Sequence, residues 1–165
     1  MDAFENRPDV PLIDRVKIQA EVLVPLIKSL EKELGTERAR HLVREVLADS
    51  SRARASALVA ERGSLGAIEA IGKVSGAGNA IDIEMREMST ERLAVDITGC
   101  RYAQFFQQIG EPELGFLLVC SGDFPAIDAI PGVELERTQT IMQGAEFCDF
   151  HYRFLADELT PPPAE

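Results

Sequence analysis

The chain has little of what would commit a protein to a membrane, a nucleic acid or a metal. Its 165 residues contain no run of about 18 apolar residues, the length a membrane-spanning helix needs. The opening "MDAFENRPDVP" is acidic and polar where a secretory signal would begin basic and continue apolar, so a cytoplasmic location is expected. Basic residues are scarce: 17 Lys and Arg stand against 28 Asp and Glu, a formal net charge of −11. No Lys/Arg cluster interleaved with aromatics offsets that charge locally, which argues against nucleic acid and anionic membrane surfaces as partners. Cysteine occurs three times, at 100, 120 and 148, without a Cys-x-x-Cys pair, so neither a zinc knuckle nor a redox dithiol is encoded and reduced thiols are expected. The glycine-rich stretch 63–80 lacks the lysine-threonine signature of a phosphate cradle and no strand precedes it. Repeats of solenoid period are absent. With 45% hydrophobic and 27% charged residues, disorder and fibrous architectures are excluded too.

What is present is two kinds of periodicity. From Pro11 to Leu34, apolar residues at Ile13, Val16, Ala20, Leu23, Leu26, Ile27, Leu30 and Leu34 keep helical spacing, with Pro25 expected to kink the helix or divide it near Val24. "GTE" then stops this helix and offers Thr36 as the N-cap of a second, running to about Glu61. Its apolar face is read as Ala39, Leu42, Val43, Val46, Ala53, Ala57 and Ala60. A short helical turn and a loop are expected over 63–80. The period changes to two at Ile81. "IDIEMREM" and "LAVDITGC" alternate as a hairpin with one face buried and one wet. "RYAQFFQQIG" returns to helical spacing, "EPELGFLLVCSGD" predicts a buried helix, and "FPAIDAIPG" predicts a loop or helical turn. "VELERTQTI" and "EFCDFHYRFL" form a second hairpin with Gly144 in its turn. The pattern predicts one α+β domain over 1–160: an N-terminal antiparallel helix pair (11–62), then two hairpins building an antiparallel sheet, with the intervening helices covering one face (81–155). Residues 161–165 read as a loose tail.

Several residues could carry chemistry. A cysteine thiolate is a strong nucleophile when a base or cation lowers its pKa. Cys148 is followed by Asp149 and then His151, Cys120 lies three residues before Asp123, and Cys100 sits at a strand end that opens into a helix, where N–H dipoles favour a thiolate. Each could equally be a small buried hydrophobe. Cys148 and His151 point to opposite faces of a regular strand. Arg137 suits a substrate carboxylate, or else an exposed pairing with a glutamate such as Glu146. Asp123 and Asp149 could act as bases, or remain solvated.

"CRYAQFFQQIGEPELG" (100–115), "LLVCSGD" (117–123) and "ERTQTIMQGAEFCDFHYRF" (136–154) together resemble the L-2-amino-thiazoline-4-carboxylic acid hydrolase family. The resemblance implies ring opening of a small cyclic amidine-like carboxylate; no cofactor is expected. The matching positions are Cys100, Arg101, Tyr102, Glu111, Cys120, Asp123, Arg137, Thr138, Thr140, Gly144, Cys148 and Asp149. On that basis Cys148, Cys120, Asp123, Asp149 and His151 are the catalytic candidates; Arg137, Thr138, Thr140, Cys100, Arg101 and Tyr102 are the substrate-binding ones. The layout also resembles, more distantly, the small-molecule-binding domain related to 4-vinyl reductases. An alternative is therefore a non-catalytic sensory module, in which Cys100, Cys120 and Cys148 would converge on a metal ion. A homodimer through the helical half is a further expectation.

Overall fold

The two periodicities become two layers. In the computed structural model, which describes residues 10–163, helices α1 (Leu12–Leu34) and α2 (Thr36–Gly76) come first. Strands β1 (Ile81–Met88) and β2 (Arg92–Cys100) follow, then helices α3 (Arg101–Gln108), α4 (Pro112–Leu118) and α5 (Asp123–Asp128), and finally β3 (Val133–Glu136) and β4 (Cys148–Phe154). All strand pairs are antiparallel, in the order β1-β2-β4-β3. The hairpins thus join through their second strands, which leaves β1 and β3 at the edges. Residues 1–9 and 164–165 of the expected domain and tail lie outside the described range.

Cross-strand register fixes which side chains share a face. Ile97 is paired with Cys148, Val95 with Phe150 and Leu93 with Tyr152; Leu135 joins them opposite Tyr152. This face turns toward the helices. Val133, Leu135, Tyr152 and Phe154 pack with Ala55 and Ala67 of α2 and Ile127 of α5. A second cluster joins Ile13 and Ala20 of α1 to Tyr102, Ala103 and Phe106 of α3 and to Met142. The opposite face carries Asp96, Asp149 and His151.

Five expectations need correction. Pro25 does not divide α1, which is one helix to Leu34. Pro25 is exposed, and so is Glu21, whose carbonyl loses its helical donor and can turn to water instead. Helix α2 does not end near Glu61 either. It bends at Gly63 (φ +70°) and resumes to Gly76, because Ala67 and Ala70 are buried at helical spacing within what reads as a glycine-rich loop. Its buried face holds Ser51 and Ala55 beside Ala39, while Leu42, Val46, Ala53, Ala57 and Ala60 are exposed. Thr36 is the first helical residue rather than a side-chain cap. Strand β1 buries neither face, since the helices do not extend over it.

The chain returns to the bend at Gly63 near its C-terminal end. Thr160 to Pro162 run through the bend at Gly63, so closely that a Cβ there would lie 2.6 Å from the Pro161 carbonyl carbon and the Pro162 nitrogen. Ser64 N–H donates to the Thr160 carbonyl at 2.8 Å. The Thr160 N–H donates back to Ser64 Oγ at 2.9 Å, and that hydroxyl donates to the Pro131 carbonyl at 2.7 Å.

Candidate functional site

Strand β3 ends at Glu136, earlier than the alternation suggests, and the next residues leave the sheet. The expected tight turn at Gly144 is instead an eleven-residue connection holding a 3₁₀ turn, Ile141–Gln143, which Gly144 closes at φ +97°. Two adjacent residues of β4 hold this connection from opposite faces. On the solvent side, the Asp149 carboxylate accepts from Thr138 N (2.9 Å), the Thr138 hydroxyl (2.6 Å) and Gln139 N (2.8 Å). On the helix side, Cys148 Sγ accepts from Ile141 N at 3.2 Å. Thr140, 2% exposed, accepts from Gln143 N and caps the turn.

Held at both ends, the connection sends Arg137 inward. Its side chain is only 4% exposed. The guanidinium Nη1 donates to Asp123 and to the Cys120 carbonyl (3.2 Å), and the group stands over the rings of Phe124 (5.1 Å), Phe150 (5.5 Å) and Phe116 (5.8 Å). Asp123 reaches it from the first turn of α5 and keeps 35% of its side chain open. Burial raises the Asp123 carboxyl to about 6, although the Arg137 charge and hydrogen bond pull it down.

The three thiols lie within electrostatic reach of this pair: Asp123 acts on all three, and Arg137 on Cys120 and Cys148. Burial pushes all three up from the ordinary thiol value. For Cys148, the Ile141 N–H and the Arg137 charge oppose the rise without cancelling it. At Cys100, which caps α3 by accepting from Ala103 N (3.4 Å), the helix N–H groups also lower the pKa, but burial outweighs them. The expectation that the helix start would favour a thiolate there is corrected accordingly. All three cysteines are therefore expected to react slowly with a disulfide reagent at pH 8, with rates still rising above the ordinary thiol range near 8.5, and promptly in denaturant. Stopped-flow absorbance of the released thiol would measure both.

Other candidates stand elsewhere. His151 and Asp149 face the opposite side of the sheet. His151 lines an open groove of ≈ 620 Å³ with Arg86, Arg92, Glu136 and Arg153, away from the thiols. Tyr102 is core, its hydroxyl donating to the Ser75 carbonyl at 3.0 Å. Arg101 pairs with Asp82 of β1 (2.7 Å), and Glu111 with Lys28 of α1. Among the described residues, no three His, Cys, Asp or Glu side chains are placed to hold a metal ion. The conditional set Cys100, Cys120 and Cys148 is not so placed. The aromatic walls Phe116, Phe124 and Phe150, with Tyr152 beyond, are absent from the expectations above. For Phe150 and Tyr152 the signal is their spacing from Cys148, which places all three on one face of β4; no local pattern marks Phe116 and Phe124.

A family model described as L-2-amino-thiazoline-4-carboxylic acid hydrolase matches residues 15–152. No curated protein sequence matches the chain. Among solved structures, the phenol-responsive sensory domain of the transcription activator PoxR, with phenol, is similar at a TM-score of 0.50 and 13% identity, covering 80% of this chain and 72% of that one. A trafficking protein particle complex subunit 3 from Naegleria fowleri, covalently bound to palmitic acid, is similar at 0.47 and 14% identity, covering 84% and 96%. No helix among the described residues is long and apolar enough to cross a membrane.

Proposed function

Since the chain belongs to the L-2-amino-thiazoline-4-carboxylic acid hydrolase family, we propose that it opens the ring of a small cyclic amidine-like carboxylate by hydrolysis, with Asp123 as the base that activates water. The observation carrying this reading is the Asp123 carboxyl itself: raised to about 6, a third open, and held beside the buried Arg137. A base whose pKa lies near neutrality combines adequate basicity with a large ionised fraction at pH 7. Thiolate attack is the weaker route, because burial keeps all three cysteines protonated in that range.

For the substrate in the family's name, water would add to the ring carbon between nitrogen and sulfur, giving its proton to Asp123. As water adds, the C=N electron pair moves to the ring nitrogen; the C–S bond then breaks with its electron pair leaving on sulfur, the hydroxyl proton passes to the ring nitrogen as the carbonyl forms, and the proton on Asp123 passes to the sulfur, yielding N-carbamoyl-cysteine. Both polar contacts of the Arg137 guanidinium run through Nη1. Its remaining N–H groups are suited to the substrate carboxylate.

The reaction releases a thiol, so turnover can be followed directly. Asp123→Asn is expected to lower kcat by about 10²- to 10⁴-fold, the usual contribution of a general base. Cys100→Ser, Cys120→Ser and Cys148→Ser should each keep most of it. In the unsubstituted protein kcat should rise with pH through about 6 as Asp123 ionises. Full turnover in Asp123→Asn would defeat the proposal. A second reading is favoured by the three phenylalanine rings around Arg137 and by the fold shared with a phenol-bound sensory domain: binding of a small aromatic molecule without turnover. Saturable heat of phenol binding, with no thiol released from the thiazoline, would select it.

A further inference from the structure

Arg137 is suited to a carboxylate, yet it is almost closed off. Its side chain is 4% exposed, whereas Asp123 beside it keeps 35% open, so the way in lies on the Asp123 side. The residue after Asp123 in α5 is Phe124, whose ring stands 5.1 Å from the guanidinium, nearer than Phe150 or Phe116.

The three rings around the cation are not held alike. Phe116 is packed against the cluster that joins α1 to α3, and Phe150 stacks on Tyr152 with ring centroids 6.3 Å apart; both are half-buried. Phe124 is the exposed member of the three, at 37%. An exposed side chain changes rotamer within nanoseconds, while packed walls are fixed by their neighbours. The backbone under Phe124 is fixed as well. A Cβ at Gly122 would lie 2.7 Å from Ser51 Oγ of α2, Pro125 has a locked φ, and the buried Ile127 packs with Ala55 and Ala67 of α2. Movement at this point therefore belongs to the Phe124 ring and not to α5.

We infer that Phe124 is the door of the Arg137 compartment: its ring turns aside to admit a carboxylate past Asp123, then closes on the bound molecule and contributes to its binding. The inference rests on one premise of the proposed function, that Arg137 is the group a substrate carboxylate must reach. With the door open the cation keeps Asp123, the Cys120 carbonyl and the faces of Phe116 and Phe150, so opening breaks no hydrogen bond. With the door closed, an aromatic face covers the ligand and removes it from water.

Phenylglyoxal, which adds to accessible guanidinium groups, tests the door without any turnover. In the unsubstituted protein, peptide mass spectrometry should find Arg137 modified far more slowly than the exposed Arg92 and Arg153. Phe124→Ala should speed modification of Arg137 several-fold and leave Arg92 and Arg153 unchanged, whereas Phe124→Trp, a larger door, should slow it. Circular dichroism should be unchanged in both, because the position is exposed. In turnover, Phe124→Ala should raise KM about tenfold and keep kcat within about threefold, the pattern of a lost binding contact, in contrast to the fall in kcat expected of Asp123→Asn. Equal modification of Arg137 in all three proteins would overturn the inference, and so would an unchanged KM in Phe124→Ala. If even the unsubstituted protein releases no thiol, the proposed hydrolysis fails, and the modification rates still decide whether Phe124 is the door.

Discussion

Asp123→Ala is expected to destabilise the protein by about 3 kcal/mol, measured by urea unfolding. The reason is the asymmetry of the pair, in which Arg137 is buried and Asp123 keeps 35% of its side chain open. Removing the carboxylate leaves the Arg137 guanidinium, 4% exposed, without a counter-charge, and an arginine cannot shed its proton to escape. Breaking a buried pair in this way ordinarily costs about 3–5 kcal/mol. The lower end applies because Asp123 is a third open to solvent and because the Cys120 carbonyl and three aromatic faces still receive the cation. Arg137→Met should cost clearly less. The carboxyl it leaves behind is already raised toward neutrality by burial and can protonate. If Arg137→Met proved the more damaging of the two, the account of which partner bears the desolvation would be wrong.

Asp149→Ala should cost a similar amount, about 3 kcal/mol, through different physics. Three donors converge on a carboxylate that is 9% exposed, and hydrogen bonds to a charged group contribute roughly 1.5–3 kcal/mol each without adding fully. Burial works to raise this carboxyl. The Thr138 hydroxyl and the N–H groups of Gln139, Asp149 and Thr138 together outweigh burial and leave it below the ordinary value. The sign of the pH effect follows. A carboxylate with a depressed folded-state pKa stabilises above its unfolded value, near 3.9, and that contribution is lost as the pH falls through the folded value. The unsubstituted protein should lose stability below about pH 4, whereas Asp149→Asn should show a flatter acid limb. Because the carboxylate holds the backbone just after Arg137, Asp149→Asn should also weaken turnover without any contact with substrate.

The two hairpins, the helical character of 11–62 and the family were legible because each rests on a period or a local motif. Sulfur at 100, 120 and 148 and the cation at 137 were nameable from residue type, yet their neighbourhood depends on where the chain leaves β3, which no local pattern marks. The pairing of Asp123 with Arg137 is a contact between α5 and the connection before β4, across 14 residues. The second half of α2 was hidden because four glycines in 63–76 lower helix propensity, and burial of Ala67 and Ala70 overrides it. The buried face of α2 went unread for a related reason: alanine and serine face the core where leucine and valine face outward, so hydrophobicity pointed the wrong way.

The clasp of Thr160 on Ser64 bears on how the protein is made. Ser64 exchanges hydrogen bonds with a residue 96 positions later, and the bend at Gly63 has its neighbour in Pro161 and Pro162. During synthesis from the N-terminus, the helices and most of the sheet will have left the ribosome while that bend is still bare. Nascent chains stalled before residue 160 should therefore be open to protease at 62–66, and those released beyond it protected.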